Sequence, residues 1–290
     1  MNDLSLTEGT AREVLGAAGF DGARARLLAL GENAVFALRE GPVVKVGRGQ
    51  ELFARAEHEL RVARWLAEQQ VPAVRPVRDQ PSLVLGHPVT VWEPLPPPQR
   101  PTEPADLALL LRRVHALPEA PFPLPGRDLL GGVERWLGRA GEHIDPADAA
   151  FLRMRRDEYA LAALEVKPVL ATGPIHGDAL PRNALVGPDG PVLVDLETFS
   201  HDLREHDLVV MALARDRYGL PEEEYRSFAL AYGWDVTEWD GALVLRGARE
   251  TAAAAWVAQH VPGNPRALAE FRRRVASLRE GDHTVRWRPF

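Results

Sequence analysis

Residues 174–199 read PIHGDALPRNALVGPDGPVLVDLETF, and the fold of the chain is read outward from this stretch. Apolar, β-prone residues 184–186 and 192–194 flank Pro188-Asp189-Gly190. Pro presets φ for a turn, Asp bonds its own backbone and Gly takes a positive φ, so a β-hairpin is expected. Counted outward from the turn, Asn183 stands just before the first strand and Asp195 just after the second. Both are expected at the open end, on neighbouring strands about 5 Å apart. An amide oxygen and a carboxylate at that separation suit one hard cation. Mg2+ takes such oxygen ligands and keeps positions open for water and phosphate. Asp178, on the loop leading into the hairpin, is expected to face the same cation.

The rest of the chain supplies the frame. Its 290 residues are 46% hydrophobic and 26% charged, ordinary for a globular protein with a sizeable core. A net charge of -6 argues against a nucleic-acid binder, which would show a basic patch. Without cysteine there is no disulfide framework, thiolate metal site or cysteine nucleophile. The acidic N-terminus does not read as a signal peptide and no window reaches membrane-span length, so a cytoplasmic protein is expected.

Residues 3–19 have helical spacing, and short strands broken at Gly31, Glu40-Gly41-Pro42 and Gly47 follow. A helix is expected in ELFARAEHELRVARWLAEQQ, then a second strand pair in SLVLG and HPVTVWEPL. EPLPPPQRPTEPAD is the richest proline stretch and reads as a stiff connector. Beyond it the pattern is mostly helical, interrupted by the quoted stretch. The expected layout is α+β: a small N-terminal lobe (1–93) with an antiparallel sheet and a helix, a connector (94–106), and a larger helical C-terminal lobe (94–290).

IHGDALPRN followed by VLVDLE resembles the catalytic signature of the aminoglycoside phosphotransferase family, small-molecule kinases with a bilobal protein-kinase-like fold. An Asp, four residues, an Asn and a later Asp is also the general order of parts in a phosphoryl-transfer site. The resemblance implies that Asp178 orients the substrate hydroxyl and accepts its proton, while Asn183 and Asp195 hold Mg2+ on the nucleotide phosphates. His176 braces the loop, and Asp207 matches the later Asp that supports it from behind. Glu197 falls where the family often has an acidic residue, either in the metal shell or structural. The donor implied is ATP or GTP.

Such a site also needs a strand Lys on the phosphates and a helix Glu to hold it. Lys45, in PVVKVGR, is flanked by apolar strand residues and should point to the opposite face from Val44 and Val46. Glu59 is its partner by the resemblance, with Glu57 the local rival. LGENAVFAL stands where the family has its nucleotide-covering loop: Gly31 supplies the turn, and the backbone amides of Asn33 and Ala34 would cradle phosphate. At the connector Pro94 has no N–H, so the base-recognising amide would be that of Glu93 or Leu95. Trp92 reads as core. The segment SHDLREHDL departs from the family's usual turn at Asp202, Leu203 and His206, which leaves the backbone path after Glu197 open.

Two other classes compete. A metal-dependent phosphohydrolase would use the His-Asp pairs of HGD, SHD and EHD, but its ligands belong on helices, whereas His176 and Asp178 precede a hairpin. A non-catalytic binding protein would not need the intact Asp178. The acceptor expected is a hydroxyl on a small molecule: an antibiotic, implying resistance or self-protection, or else a metabolite such as a sugar, amino alcohol or amino acid.

Overall fold

The structure, a computed structural model, describes residues 6–31, 33–39 and 41–289. Residues 3–5 of the expected first helix, Glu32 of the covering loop and Glu40 of the expected turn lie outside the described residues. The chain divides into two compact units, Met1–Thr102 with Arg182–Phe199, and Glu103–Pro181 with Ser200–Phe290. The change of unit falls at Thr102/Glu103, within the 94–106 connector, and the hairpin groups with the N-terminal part of the chain.

The N-terminal part opens with α1 (Glu8–Ala17), begun by Thr7, whose Oγ1 accepts the Thr10 amide at 3.1 Å. Strands β1 (Arg26–Leu30), β2 (Asn33–Ala37) and β3 (Val43–Gly47), helix α2 (Phe53–Glu68), and strands β4 (Ser82–Val84) and β5 (His87–Trp92) follow. The strands form an antiparallel sheet in the order β1-β2-β3-β5-β4. Strand alternation puts Ala34, Phe36, Val44, Val46, Val89 and Val91 on one face, packed with Ala11, Val14 and Leu15 of α1. On the other face Lys45 stands between Val35 and Thr90, and α2 packs there.

Next come α3 (Pro104–His115), α4 (Val133–Ala140) and α5 (Pro146–Leu164). Four short strands follow: β6 (Gly173–Ile175), β7 (Ala184–Gly187), β8 (Gly190–Leu193) and β9 (Ser200–Asp202). The chain ends in α6 (Glu205–Tyr218), α7 (Glu222–Tyr232), α8 (Gly241–Ala258) and α9 (Pro265–Arg279).

The hairpin β7–β8 turns at Pro188-Asp189, with Gly190 at φ 108°, a value that excludes most side chains. An isolated hairpin is marginal because both its edges are open. Here both are filled from its own unit. On β8, the Leu193 amide donates to the Pro72 carbonyl and the Leu193 carbonyl accepts from Val74, each at 2.9 Å. On β7, the Gln99 amide donates to the Val186 carbonyl at 2.9 Å and Thr102 Oγ1 to the Ala184 carbonyl at 2.6 Å. The proline-rich connector is therefore an edge partner, which is why the hairpin joins this unit.

In the second unit α8 is the central helix, contacted by α4, α5, α6 and α9. Its Ala254, Ala255 and Ala258 let those neighbours approach closely, and Val133, Leu152, Phe271, Val275 and Trp287 complete the cluster. Strand β9 pairs antiparallel with β6, which settles the path after Glu197: a short 3-10 turn, Leu196–Thr198, and then a strand. Among the described residues no helix is long and apolar enough to cross a membrane.

Candidate active site

In the first unit the site is built around one cation. Lys45 Nζ donates to both oxygens of Glu59, at 3.1 and 3.0 Å, contacts Glu197 Oε1 and lies 3.9 Å from Asp195 Oδ1. Burial alone would lower the Lys45 pKa, but the three carboxylates outweigh it and push it up, so the amine stays charged. Burial, with Glu197 nearby, raises Glu59 to about 7 against the pull of Lys45. Glu57, the rival partner, is exposed.

Glu197 collects more than Lys45. Asn33 Nδ2 donates to its Oε1 at 2.6 Å, and Arg55 Nη1 to its Oε2 at 3.4 Å. One half-buried residue, its side chain 9% exposed, thus gathers β2, β3 and α2 onto the turn that follows Asp195.

Asp195 itself has φ 58° and ψ 63°, a left-handed conformation uncommon for a non-glycine residue and worth a functional reading. Its side chain is 52% exposed, against 4% for Glu59 and 9% for Glu197, so it is the carboxylate a ligand can reach. Oxygens of Glu59, Asp195 and Glu197 lie within 4.8 Å of one another. The Val194 amide donates to the Asn183 carbonyl at 2.9 Å, which places Asn183 and Asp195 at the open end of the hairpin. Glu59 and Glu197 are taken by Lys45, so the oxygen donors that suit a hard divalent cation are those of exposed Asp195 and of Asn183 beside it.

In the second unit the loop His176-Gly177-Asp178 is fastened from behind. Asp207, fully buried on α6, accepts the His176 amide at 2.7 Å, the Gly177 amide at 2.8 Å and His115 Nε2 at 3.1 Å. Burial pushes the Asp207 carboxyl up, yet these donors pull it down to about 2. His115 Nδ1 pairs in turn with the Tyr232 hydroxyl at 2.8 Å. The buried His176 ring accepts the Asp178 amide at 3.4 Å, and Asp178 is half-buried.

Three expected positions lie differently from the reading of the sequence. The Glu93 amide donates to the Arg75 carbonyl at 2.8 Å and is not available to a base; this leaves Leu95, which is half-buried. Asn33 and Ala34 are not in a loop: they stand on β2 opposite Gly47 and Val46, and Ala34 is fully buried in the sheet core. Gly31 directly follows β1, and its amide donates to the Asn33 carbonyl at 3.0 Å.

The sequence profile of the phosphotransferase enzyme family matches residues 25–245, most of the chain. The chain belongs to this family. Its reaction is phosphoryl transfer to a hydroxyl acceptor. Solved structures agree in fold. The amicoumacin kinase hAmiN, in complex with AMP-PNP, Ca2+ and Ami, superposes with a TM-score of 0.70 at 13% identity, covering 97% of this chain and 98% of that one. A choline/ethanolamine kinase family protein from Mesorhizobium loti gives 0.64 at 19% identity, covering 95% and 96%. Aminoglycoside phosphotransferase APH(3'')-Id from Streptomyces rimosus gives 0.58 at 20%, covering 86% and 99%. Comparison with curated proteins finds no match. The kinase-like fold expected from the sequence is the fold of this phosphotransferase.

The structure also brings forward residues that reading the sequence passed over. Arg55 reaches Glu197, and His115 reaches Asp207. His115 lies on the apolar face of α3, where a histidine is usually a satisfied core residue. Arg127 Nε and Arg249 Nη2 both donate to the Gly177 carbonyl, at 3.0 and 3.2 Å. Arg249-Glu250, a charged pair inside the alanine-rich α8, was the available signal. His201 and His206 of the hydrolase reading enter no three-ligand cluster among the described residues. His206 is held neutral, lowered to about 4 by burial and by Arg249.

Proposed function

We propose that this phosphotransferase moves the γ-phosphate of ATP or GTP, bound with Mg2+, to a hydroxyl of a small molecule. The observation that carries the reading is Lys45, kept charged on its strand by Glu59, Glu197 and Asp195. A buried ammonium that several carboxylates hold in place is suited to meet nucleotide phosphates. In this reading Lys45 contacts the phosphates, Glu59 and Glu197 hold its amine, and Asn183 and Asp195 hold Mg2+. The cation, when bound, offsets the negative charge on the phosphates. The turn at Gly31 covers the nucleotide, and the Leu95 amide meets its base.

In the second unit Asp178 accepts the proton of the acceptor hydroxyl as that oxygen attacks the γ-phosphorus. The bond from γ-phosphorus to the bridging oxygen breaks, and the nucleoside diphosphate leaves. His176 and Asp207 hold the loop that carries this base.

The relatives define what to test as acceptor: hAmiN is an amicoumacin kinase by name, and the Mesorhizobium loti protein belongs to a choline/ethanolamine kinase family. An antibiotic acceptor, with a protective role for the enzyme, comes first; an amino alcohol, sugar or amino acid comes second. The experiment is turnover of ATP and GTP, with and without Mg2+, across hydroxylated antibiotics and metabolites. Mass spectrometry then looks for one added phosphate. Asp178→Ala should cut transfer at least about 100-fold while leaving nucleotide affinity within about twofold. Unchanged turnover in that variant removes Asp178 from the reaction.

A further inference from the structure

Residue 177 is held on both sides. Its amide donates to Asp207 Oδ1 at 2.8 Å, and its carbonyl accepts from Arg127 Nε at 3.0 Å and Arg249 Nη2 at 3.2 Å. With the His176 amide on Asp207 and the Asp178 amide on the His176 ring, every backbone amide from His176 to Asp178 is engaged. Gly177 has φ 82°, which a residue with a Cβ would adopt only under strain.

The two arginines come from distant elements. Arg127 lies between α3 and α4 and is half-buried; its own amide is fixed by Asp202 Oδ2 at 2.9 Å. Arg249 lies on α8 and is only 8% exposed. Its Nη2 donates to the carbonyls of Gly177 and His206, its Nε has no partner, and none of these bonds runs to a carboxylate. Burying a guanidinium on neutral acceptors is unfavourable, and a second cation aimed at the same carbonyl adds repulsion. Burial and Arg127 lower the Arg249 pKa to about 10, while Asp178 and Asp207 pull it back up. An apolar residue would serve the packing of α8 better. What the pair supplies instead is a fixed carbonyl, and positive charge near the carboxylate of the next residue.

We infer that Arg127 and Arg249 are positioning residues for Asp178: they clamp the Gly177 carbonyl and so fix the peptide that carries the base. The inference rests on the assignment of Asp178 as the base. Displacing a reacting group by about 1 Å can cost about 100-fold in rate, and rigid support of the catalytic group by neighbouring hydrogen bonds prevents such drift.

The test uses the full chain, with hydrolysis of Mg-ATP to water as the probe reaction and affinity for a fluorescent ATP analogue measured alongside. Arg127→Gln should lower kcat about 10- to 100-fold with nucleotide affinity within about twofold. Arg127→Lys should recover part of the loss, because an ammonium can still donate one bond to the carbonyl. Arg249→Lys and Arg249→Gln should follow the same order. In an Asp178→Ala background Arg127→Gln should have no further effect, since the arginine acts through that residue. Equal losses of kcat with and without Asp178, or losses of affinity and melting temperature in step with kcat, would mean a purely structural pair and overturn the inference. A wild type that needs Asp178 but is indifferent to both arginines also overturns it. Turnover unaffected by Asp178→Ala overturns the phosphotransfer assignment of Asp178 itself, and the clamp with it.

Discussion

Asp207 is a charged residue with no exposure, and its energetics follow from its three donors. Its carboxyl is ordinary at 3.8 when unfolded and falls to about 2 in the fold. A depressed carboxylate contributes stability that is present above the unfolded pKa and lost as pH falls through the folded one. The difference amounts to about 2 kcal/mol. Asp207→Asn places an NH2 donor against the groups that donated to the carboxylate, and should destabilise the protein by about 3 kcal/mol. Denaturant unfolding from pH 7 to pH 2 checks both statements. The gap between wild type and variant should be flat above about pH 5 and shrink by about 2 kcal/mol below pH 4. A gap that stays constant with pH would show that the charge of Asp207 contributes nothing.

At the scale of elements, the C-terminal segment after α9 is held by two buried arginines. Arg217 Nη1 donates to the carbonyls of Asp282 and Val285 at 2.8 and 3.2 Å, and Arg274 Nη2 to that of Arg288 at 2.6 Å. Trp287, 2% exposed, lies under both guanidinium groups, 4.8 Å from Arg217 and 5.0 Å from Arg274. Its indole N–H donates to Ser277 Oγ at 3.1 Å. Trp287→Ala should therefore cost about 3–5 kcal/mol, measured by denaturant midpoint at unchanged slope. A loss under about 1 kcal/mol would mean that the tail only rests on the surface. The hairpin is the opposite case. It is short, and its stability comes from the connector and the segment after α2 that fill its edges.

For the whole molecule, the proposed reaction predicts linkage between nucleotide and stability. A ligand at about 100 times its Kd that binds only the folded state adds about 2.7 kcal/mol. Mg-ATP or Mg-GTP should raise the melting temperature of the wild type, and Lys45→Met should lose most of that rise. Without bound nucleotide, Lys45→Met relieves the burial of an ammonium but leaves Glu59 and Glu197 facing each other without it. A nucleotide-induced shift of equal size in both proteins would remove Lys45 from the phosphate site.

The sequence by itself determined what short-range rules can reach. Turn chemistry at Pro188-Asp189-Gly190 set the hairpin, so Asn183 and Asp195 could be placed at its open end. Alternation around Lys45 fixed the face on which that lysine stands, and spacing in HGDALPRN carried the family. These signals lie within a few residues of one another, where propensity and periodicity act. Tertiary structure decided the rest. Asn33 and Arg55 meet Glu197 across more than 140 residues of chain. Arg127 and Arg249, separated by more than 100 positions, meet on one carbonyl. The Glu93 amide is taken by the Arg75 carbonyl. Each of these depends on which backbone group is left needing a partner once the core has packed. No local pattern encodes that, because the need to satisfy a buried polar group arises only when burial has occurred.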